Sequence, residues 1–207
     1  MSWYDQYILP PFLNCVCGLK PMRYQREKIV PRAKGAVLEI GIGSGHNLPF
    51  YNGNQVTSLF AVDPYYKLNK TAQRIKKEAS YPITITRDSA ENLPLEDKSI
   101  DSIICTYTLC SLKNPKKALQ EMKRVLRDTG FLYIVEHGLA HDADVAAWQH
   151  RLNPLWKPLA GGCNLNLNIA DLLHQTQWNP SLNTMYLPKT PKIVGFNYLG
   201  SATLTPI

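Results

Sequence analysis

From residue 35 onward, short apolar runs alternate with longer stretches whose apolar positions recur at helical spacing. The runs "AVLEIG" (36–41), "TSLFAVD" (57–63), "ITITR" (83–87), "SIICTY" (102–107) and "FLYIVEH" (131–137) are rich in β-branched and aromatic residues and read as strands. Between them, "YYKLNKTAQRIKKEA" (65–79) and "NPKKALQEMKRVLRD" (114–128) carry the helical period. In the second, Ala118, Leu119, Met122, Val125 and Leu126 make one apolar face, Asn114 is a cap and Pro115 suits the first turn. Strands that alternate with helices need crossover connections, which predicts an α/β, doubly wound parallel sheet.

Beyond residue 137 the rhythm changes. "DADVAAWQHRL" (142–152) predicts a helix ended near Pro154, followed by the loop "KPLAGGCNLN" and a second helix around 168–178. "LNTMYL" (182–187) and "KIVGFNYLGSA" (192–202) read as two closing strands. With no internal repeat, the 207 residues make one domain: a helical cover over 1–34, a ligand-binding core over 35–137 and a substrate side over 138–207.

Composition changes this picture little. Apolar content of 44% and charged content of 19% are those of an ordinary globular chain. A net charge of +7 permits a nucleic-acid or anionic-membrane partner, but the basic residues are scattered over "KPMRYQREK", "RIKKE" and "KNPKK" with "KRVLR". Two of these are solvated helix faces, so no nucleic acid is expected. The apolar segment "YILPPFLNCVCGL" (7–19) is too short to span a bilayer, and Asp5 before it argues against a signal peptide. Among five cysteines, Cys15 and Cys17 have the wrong gap for a zinc or redox pair. No metal is expected, and reduced thiols place the chain in the cytoplasm.

"VLEIGIGSGHNLPFY" (37–51) holds the chemistry-bearing turn. Gly41, Gly43 and Gly45 allow a close backbone approach, but His46 stands where a dinucleotide fold wants its third glycine, and no Walker ending follows. Glu39 completes E-x-G-x-G-x-G, and an acid there suits a cationic, amino-acid-bearing ligand better than a pyrophosphate. Asp63 ends the next strand about twenty residues on, where a carboxylate accepts from ribose hydroxyls. "DSAENLP" (88–94) can meet an adenine edge, and "SIDSIICTYTLCSL" (99–112) ends at the switch point where such folds bind ligands.

Taken in order, "LEIGIGSG", "VDP", "SAENLPLEDKSIDSIIC" and "ALQEMKRVLRDTGFLYIVEH" resemble the class I S-adenosylmethionine-dependent methyltransferases over roughly residues 35 to 137. The resemblance implies a Rossmann-like seven-stranded sheet, six strands parallel and one antiparallel, with S-adenosylmethionine as cofactor. It implies Gly41, Gly43 and Gly45 around the methionine part, Asp63 at the ribose, Ser89 and Ala90 at the adenine, Thr106 near the methionine end, and Asn47 and Pro64 among the cofactor contacts. Many members have Asp where Ser89 stands, and Asp88 is the neighbour able to replace it.

The acceptor leaves its own marks. "TYTL" is not the proline-rich tetrapeptide of amino-methylating enzymes, no Pro-Cys pair marks a pyrimidine enzyme, and no Asp marks a catechol-type metal site. Further along, "CTYTLCSLKNPKKAL", "EHG", "AAWQHRLNPLWKPLAGGCNL" and "PKTPKIVGFNYLGSA" resemble the membrane-associated methyltransferase-like proteins that methylate alkyl thiols. Two departures are the missing hydrophobic N-terminal anchor and Gly161, where an acidic residue often precedes Gly-Cys. The resemblance implies a small, thiol acceptor. His137 is either the base that takes its proton or a structural histidine, and Tyr107 shapes the acceptor path. Cys110, Trp156 and Cys163 are expected to line the substrate side. Quinone C-methylation, phospholipid N-methylation and an inactive cofactor-binding protein with a basic surface stay open. The N-terminal segment, with Trp3, Tyr4 and Tyr7, is expected to lie over the cofactor as a lid, and its apolar and basic makeup also suits shallow docking on an anionic membrane.

Overall fold

The computed structural model describes Tyr7 and residues 9–205; Trp3 and Tyr4 lie outside the described residues. Two helices, α1 (Leu9–Cys17) and α2 (Lys20–Ile29), precede strand β1 (Gly35–Ile40). The core continues through β2 (Val56–Val62), α3 (Lys70–Glu78), β3 (Ile83–Thr86), β4 (Ile100–Thr106), α4 (Pro115–Val125) and β5 (Leu126–His137). Then follow α5 (Ala143–Leu159), α6 (Ile169–Gln175), β6 (Trp178–Tyr186), the single turn α7 (Lys192–Gly195) and β7 (Phe196–Leu204).

The seven strands form one sheet in the order β3-β2-β1-β4-β5-β7-β6. β7 runs antiparallel to both neighbours and the other six strands are parallel. Successive residues of a strand face opposite sides, so a sheet covered on both faces needs strands that are apolar throughout. β1 shows this. Leu38 and Ile40 join Ile103, Cys105, Leu119 and Met122 in one core layer, while Val37 faces the other with Ile104, Leu59 and Val135. Ile29 and Val30, at the end of α2, seal that second layer at 0% exposure. Glu39 shares this face with Val37, so the strand pattern carries a carboxylate into the interior.

Several boundaries differ from expectation, among them α3, which begins at Lys70 rather than Tyr65, and β6, which begins at Trp178 rather than Leu182. α4 stops at Val125 and β5 begins at Leu126, because Leu126 already pairs with Ile100. The run 192–202 starts with a helical turn, and only from Phe196 does it become a strand. α5 passes through Pro154 and Pro158 to Leu159 rather than ending near the first proline. Pro154 and His150, whose carbonyl Pro154 frees, both lie on the exposed side, where water can satisfy the broken ladder. The helix is anchored from its buried side by Gln149, which accepts from Ala140 N at 2.8 Å and donates to Gly138 O at 3.0 Å and Ile193 O at 2.9 Å.

At the sheet edges, β3 is four residues long, and β6 carries Pro180 opposite Ala202. Met122 is fully buried between α4 and the sheet, so Met122→Ala should lower unfolding stability by about 2–5 kcal/mol. Urea unfolding followed by circular dichroism checks this, and a loss well under that range would mean the layer collapses around the gap.

Candidate active site

In the sheet order, β1 lies between β2 and β4, and the loops leaving β1 and β4 part at their C-terminal ends. A cleft of about 970 Å³ opens there. Gly41, Gly43, Asn47, Asp63, Thr106 and Tyr107 line it from the sheet side, and Asn14, Cys17 and Arg26 of α1 and α2 line it from above. The N-terminal helices therefore cover this end of the sheet.

The glycine turn is built by contact as much as by conformation. At Gly41 (φ +74°) an added Cβ would fall 2.3 Å from Thr108 Oγ1, so the turn after β1 presses directly on the exit from β4. At Gly43 (φ +50°) an added Cβ would find only Asp63 Oδ2, at 3.9 Å. That side of the turn is open, and only a residue without a side chain leaves it open for a ligand. Gly45 lies beside Ala72 of α3. Asp63 Oδ2 accepts from Gly43 N at 2.8 Å and its Oδ1 from Tyr65 N at 2.7 Å. These bonds fix the carboxylate's orientation, and each oxygen keeps a further lone pair for a ligand hydroxyl.

Glu39 does not sit beside the cleft. It is 1% exposed, and its carboxylate accepts from Asn47 Nδ2 and from Tyr51 OH, both at 2.9 Å. The same Asn47 amide donates to Thr106 Oγ1 at 3.0 Å. Glu39 is thus a brace beneath the turn, while Asn47 and Thr106 reach the cleft wall. The expected adenine residues are likewise displaced. Ala90 packs into the core at 4% exposure, Ser89 closes a local turn by accepting from Glu91 N, and Asp88, Ser89, Ala90 and Pro64 are not among the residues lining the cleft.

On the acceptor side, Tyr107 lines the cleft with a left-handed backbone (φ +54°). Its hydroxyl donates to Asn197 Oδ1 at 3.0 Å, so the phenol is held as wall rather than presented as a proton carrier. Over its ring, 5.0 Å from the centroid, lies the Arg26 guanidinium. Arg26 is 4% exposed; Nη1 donates to Cys17 O at 2.6 Å, and Nε has no acceptor among the described residues. Sequence reasoning missed this residue. The segment ending in "RYQREK" is expected over the ligand as a lid, but nothing in it singles out Arg26 as the arginine that turns inward.

His137, read as either a base or a structural histidine, does not line the cleft; its Nε2 lies 2.7 Å from Cys163 Sγ. Cys110 completes a cluster whose three donor atoms all lie within 4.8 Å of one another. The Cys110 thiol and, after the opposing effect of burial, the His137 charge pull the Cys163 thiol far down, to about 4, while Cys110 is pushed well up by the same contact. Burial disfavours a charged His137, but contact with Cys163 outweighs it and raises the imidazole. Trp156 also helps to hold Cys163 down, although its buried Nε1 meets no acceptor at hydrogen-bond geometry. Cys110, Trp156 and Cys163 therefore stand together behind the wall, whereas Ser111, Gly161 and Gly162 form its surface.

Burial pushes the Glu39 carboxyl from 4.5 up to about 7, against the lowering effect of the Tyr51 and Asn47 hydrogen bonds and the Arg26 charge. A raised folded pKa means the folded chain holds this proton more tightly than the unfolded one. The stability it supplies is complete below pH 4.5 and is lost as pH rises through about 7. Glu39→Gln removes this dependence. The variant's unfolding free energy minus that of the unmodified chain should therefore climb between those pH values in paired denaturant titrations. A flat difference would show that Glu39 does not titrate there.

A family model described as a methyltransferase domain matches residues 38–134. Human thiol S-methyltransferase TMT1B is 32% identical over 172 residues, covering 78% of this chain and 70% of that protein. A phosphatidylethanolamine N-methyltransferase of Cereibacter sphaeroides is 26% identical over 120 residues, covering 57% of this chain and 58% of that protein. Among solved structures, a SAM-dependent methyltransferase of Thermotoga maritima, described as a possible histamine N-methyltransferase, superposes with a TM-score of 0.64 over 98% of each chain at 17% identity, a likeness of fold alone.

Proposed function

The chain belongs to the S-adenosylmethionine-dependent methyltransferases, and from that premise we propose that its acceptor is a small thiol. The observation that carries this is the likeness to the human thiol S-methyltransferase, whose 172 aligned residues reach well beyond the 38–134 domain onto elements that build the acceptor side. The likeness to the phospholipid enzyme is shorter, spanning 57% of the chain.

The cleft fits the cofactor on this structure's own terms. The open face of Gly43 supplies space for it, Asp63 offers oriented acceptors for ribose hydroxyls, and Arg26 Nε is a buried donor without an acceptor, suited to a carboxylate. When bound, S-adenosylmethionine supplies an electrophilic methyl group on a sulfonium. A thiol acceptor would enter the cleft as its thiolate, its proton lost to solvent. The protein's share is chiefly positioning and exclusion of water. Tyr107, fixed by Asn197, and the Gly161–Gly162 turn bound the approach.

Two measurements test this. Asp63→Ala should weaken S-adenosylmethionine binding by roughly 10- to 100-fold in calorimetry, the worth of hydrogen bonds to a charged acceptor, with the melting temperature little changed. Unchanged affinity would remove Asp63 from the ribose role. Labelled methyl transfer to small thiols, a quinol, a phospholipid amine and RNA should mark the thiols alone. Transfer to the amine or quinol instead would overturn the thiol reading while leaving the family intact.

A further inference from the structure

Behind the acceptor wall, Cys110, His137 and Cys163 bring two sulfurs and an imidazole nitrogen together from three separate elements. Cys110 sits in the short 3-10 turn after β4 (Leu109–Ser111), His137 is the last residue of β5, and Cys163 follows the Gly161–Gly162 turn beyond α5. Each point of attachment is held by the backbone. Thr108 N and Leu109 N both donate to Glu136 Oε1, at 2.5 and 2.9 Å, which locks the Cys110 turn onto the end of β5 beside His137. Asn164 N and Nδ2 both donate to Cys110 O, at 2.9 and 2.8 Å, which locks the Cys163 loop onto the same turn. Side chains from three elements are thus fixed at one place before anything binds.

The donor set is specific. Two thiols and an imidazole are the set chosen by zinc and similar thiophilic cations, with a fourth position left to water or an added ligand. Zinc with bonds of about 2.3 Å to sulfur and about 2.0–2.1 Å to nitrogen holds its ligand atoms roughly 3.5–3.8 Å apart in a tetrahedron. The three donor atoms already lie within 4.8 Å of one another, with His137 Nε2 and Cys163 Sγ at 2.7 Å. That one contact opens by less than the length of a bond to reach ligating distance, and the other pairs, at most 4.8 Å apart, close by little more than about 1 Å. The buried Trp156 Nε1, which meets no acceptor at hydrogen-bond geometry among the described residues yet lies close enough to influence Cys163, is placed to donate to a metal-bound sulfur. The remaining cysteines, Cys15, Cys17 and Cys105, are not in the cluster.

We propose that Cys110 Sγ, His137 Nε2 and Cys163 Sγ form a three-ligand site for a zinc-class divalent cation, replacing the expectation that this chain holds no metal. The site does not depend on the thiol reading of the acceptor, since the cation binds with or without methyl transfer. Its test uses the full chain stripped with chelator and kept reduced, titrated with Co²⁺ as the spectroscopic stand-in for zinc. One equivalent should give a near-ultraviolet thiolate-to-cobalt charge-transfer band together with the intense visible bands of a tetrahedral ion, and zinc should displace both. Cys110→Ser and Cys163→Ser should each lose roughly half of the charge-transfer intensity and bind about 10–100-fold more weakly, with S-adenosylmethionine binding retained as the check on folding. Should either variant fail to fold, alkylation of the unmodified chain serves instead: zinc should shield the partly exposed Cys163 from iodoacetamide and leave exposed Cys15 reactive. No charge-transfer band at saturating Co²⁺, a band unaltered by both substitutions, or no shielding of Cys163 would each overturn the proposal.

Discussion

Two buried carboxylates hold this end of the sheet together. Glu39, on β1, takes hydrogen bonds from Asn47 and Tyr51, and Asn47 passes one on to Thr106 at the end of β4. Glu136, on β5, collects the backbone amides of Thr108 and Leu109. Between them they join the loops that follow β1 and β4 to the strands on either side. Burial favours the neutral form of both, each raised to about 7, and the donors around them offset part of that cost. An acid in each place does what no apolar residue can: it satisfies several donors of an irregular loop at once without help from water. The cleft keeps its shape because its floor is bonded, and the direct contact of Gly41 with Thr108 leaves the two loops no room to slide.

Much of the fold was legible because it is written in local patterns. The period of two and the period of 3.6 both appear between residues 35 and 137, and the predicted strands there all form. Asp63 and the glycines lie close to their strands, so their placement followed from the strand ends. Glu39 was misplaced because adjacency in sequence does not tell which face of β1 a side chain takes; it shares the Val37 side, under the loop. Pro154 misled for a related reason. A proline ends a helix when its freed carbonyl is buried, and the exposed side on which it falls depends on how α5 packs. Arg26 was hidden by its chemistry, since arginine is rarely buried and nothing in a basic run marks the one residue that turns inward.

The acceptor side was the least legible. Its parts come from chain segments far apart, and Cys110, His137 and Cys163 have no motif spacing to announce them. They meet because the sheet order places β4 beside β5, and because Asn164 ties the loop after α5 to the turn after β4. The cleft is thus lined mainly from neighbouring strand ends, while its far wall is closed by the end of α5 and the turn after it, which are free to vary without disturbing the sheet.

The ends of the sheet carry a consequence for how the chain behaves in company. An edge strand offers unpaired amides and carbonyls to any similar strand it meets, and long flat edges invite sheet-to-sheet aggregation. Here β3 offers four residues directly after Pro82, and β6, the longer edge, is interrupted by Pro180, which lacks an amide proton. Both edges are poor templates for added strands. A chain with an apolar, doubly covered sheet thereby guards against polymerising along it, even where that sheet's interior would be strongly prone to stick.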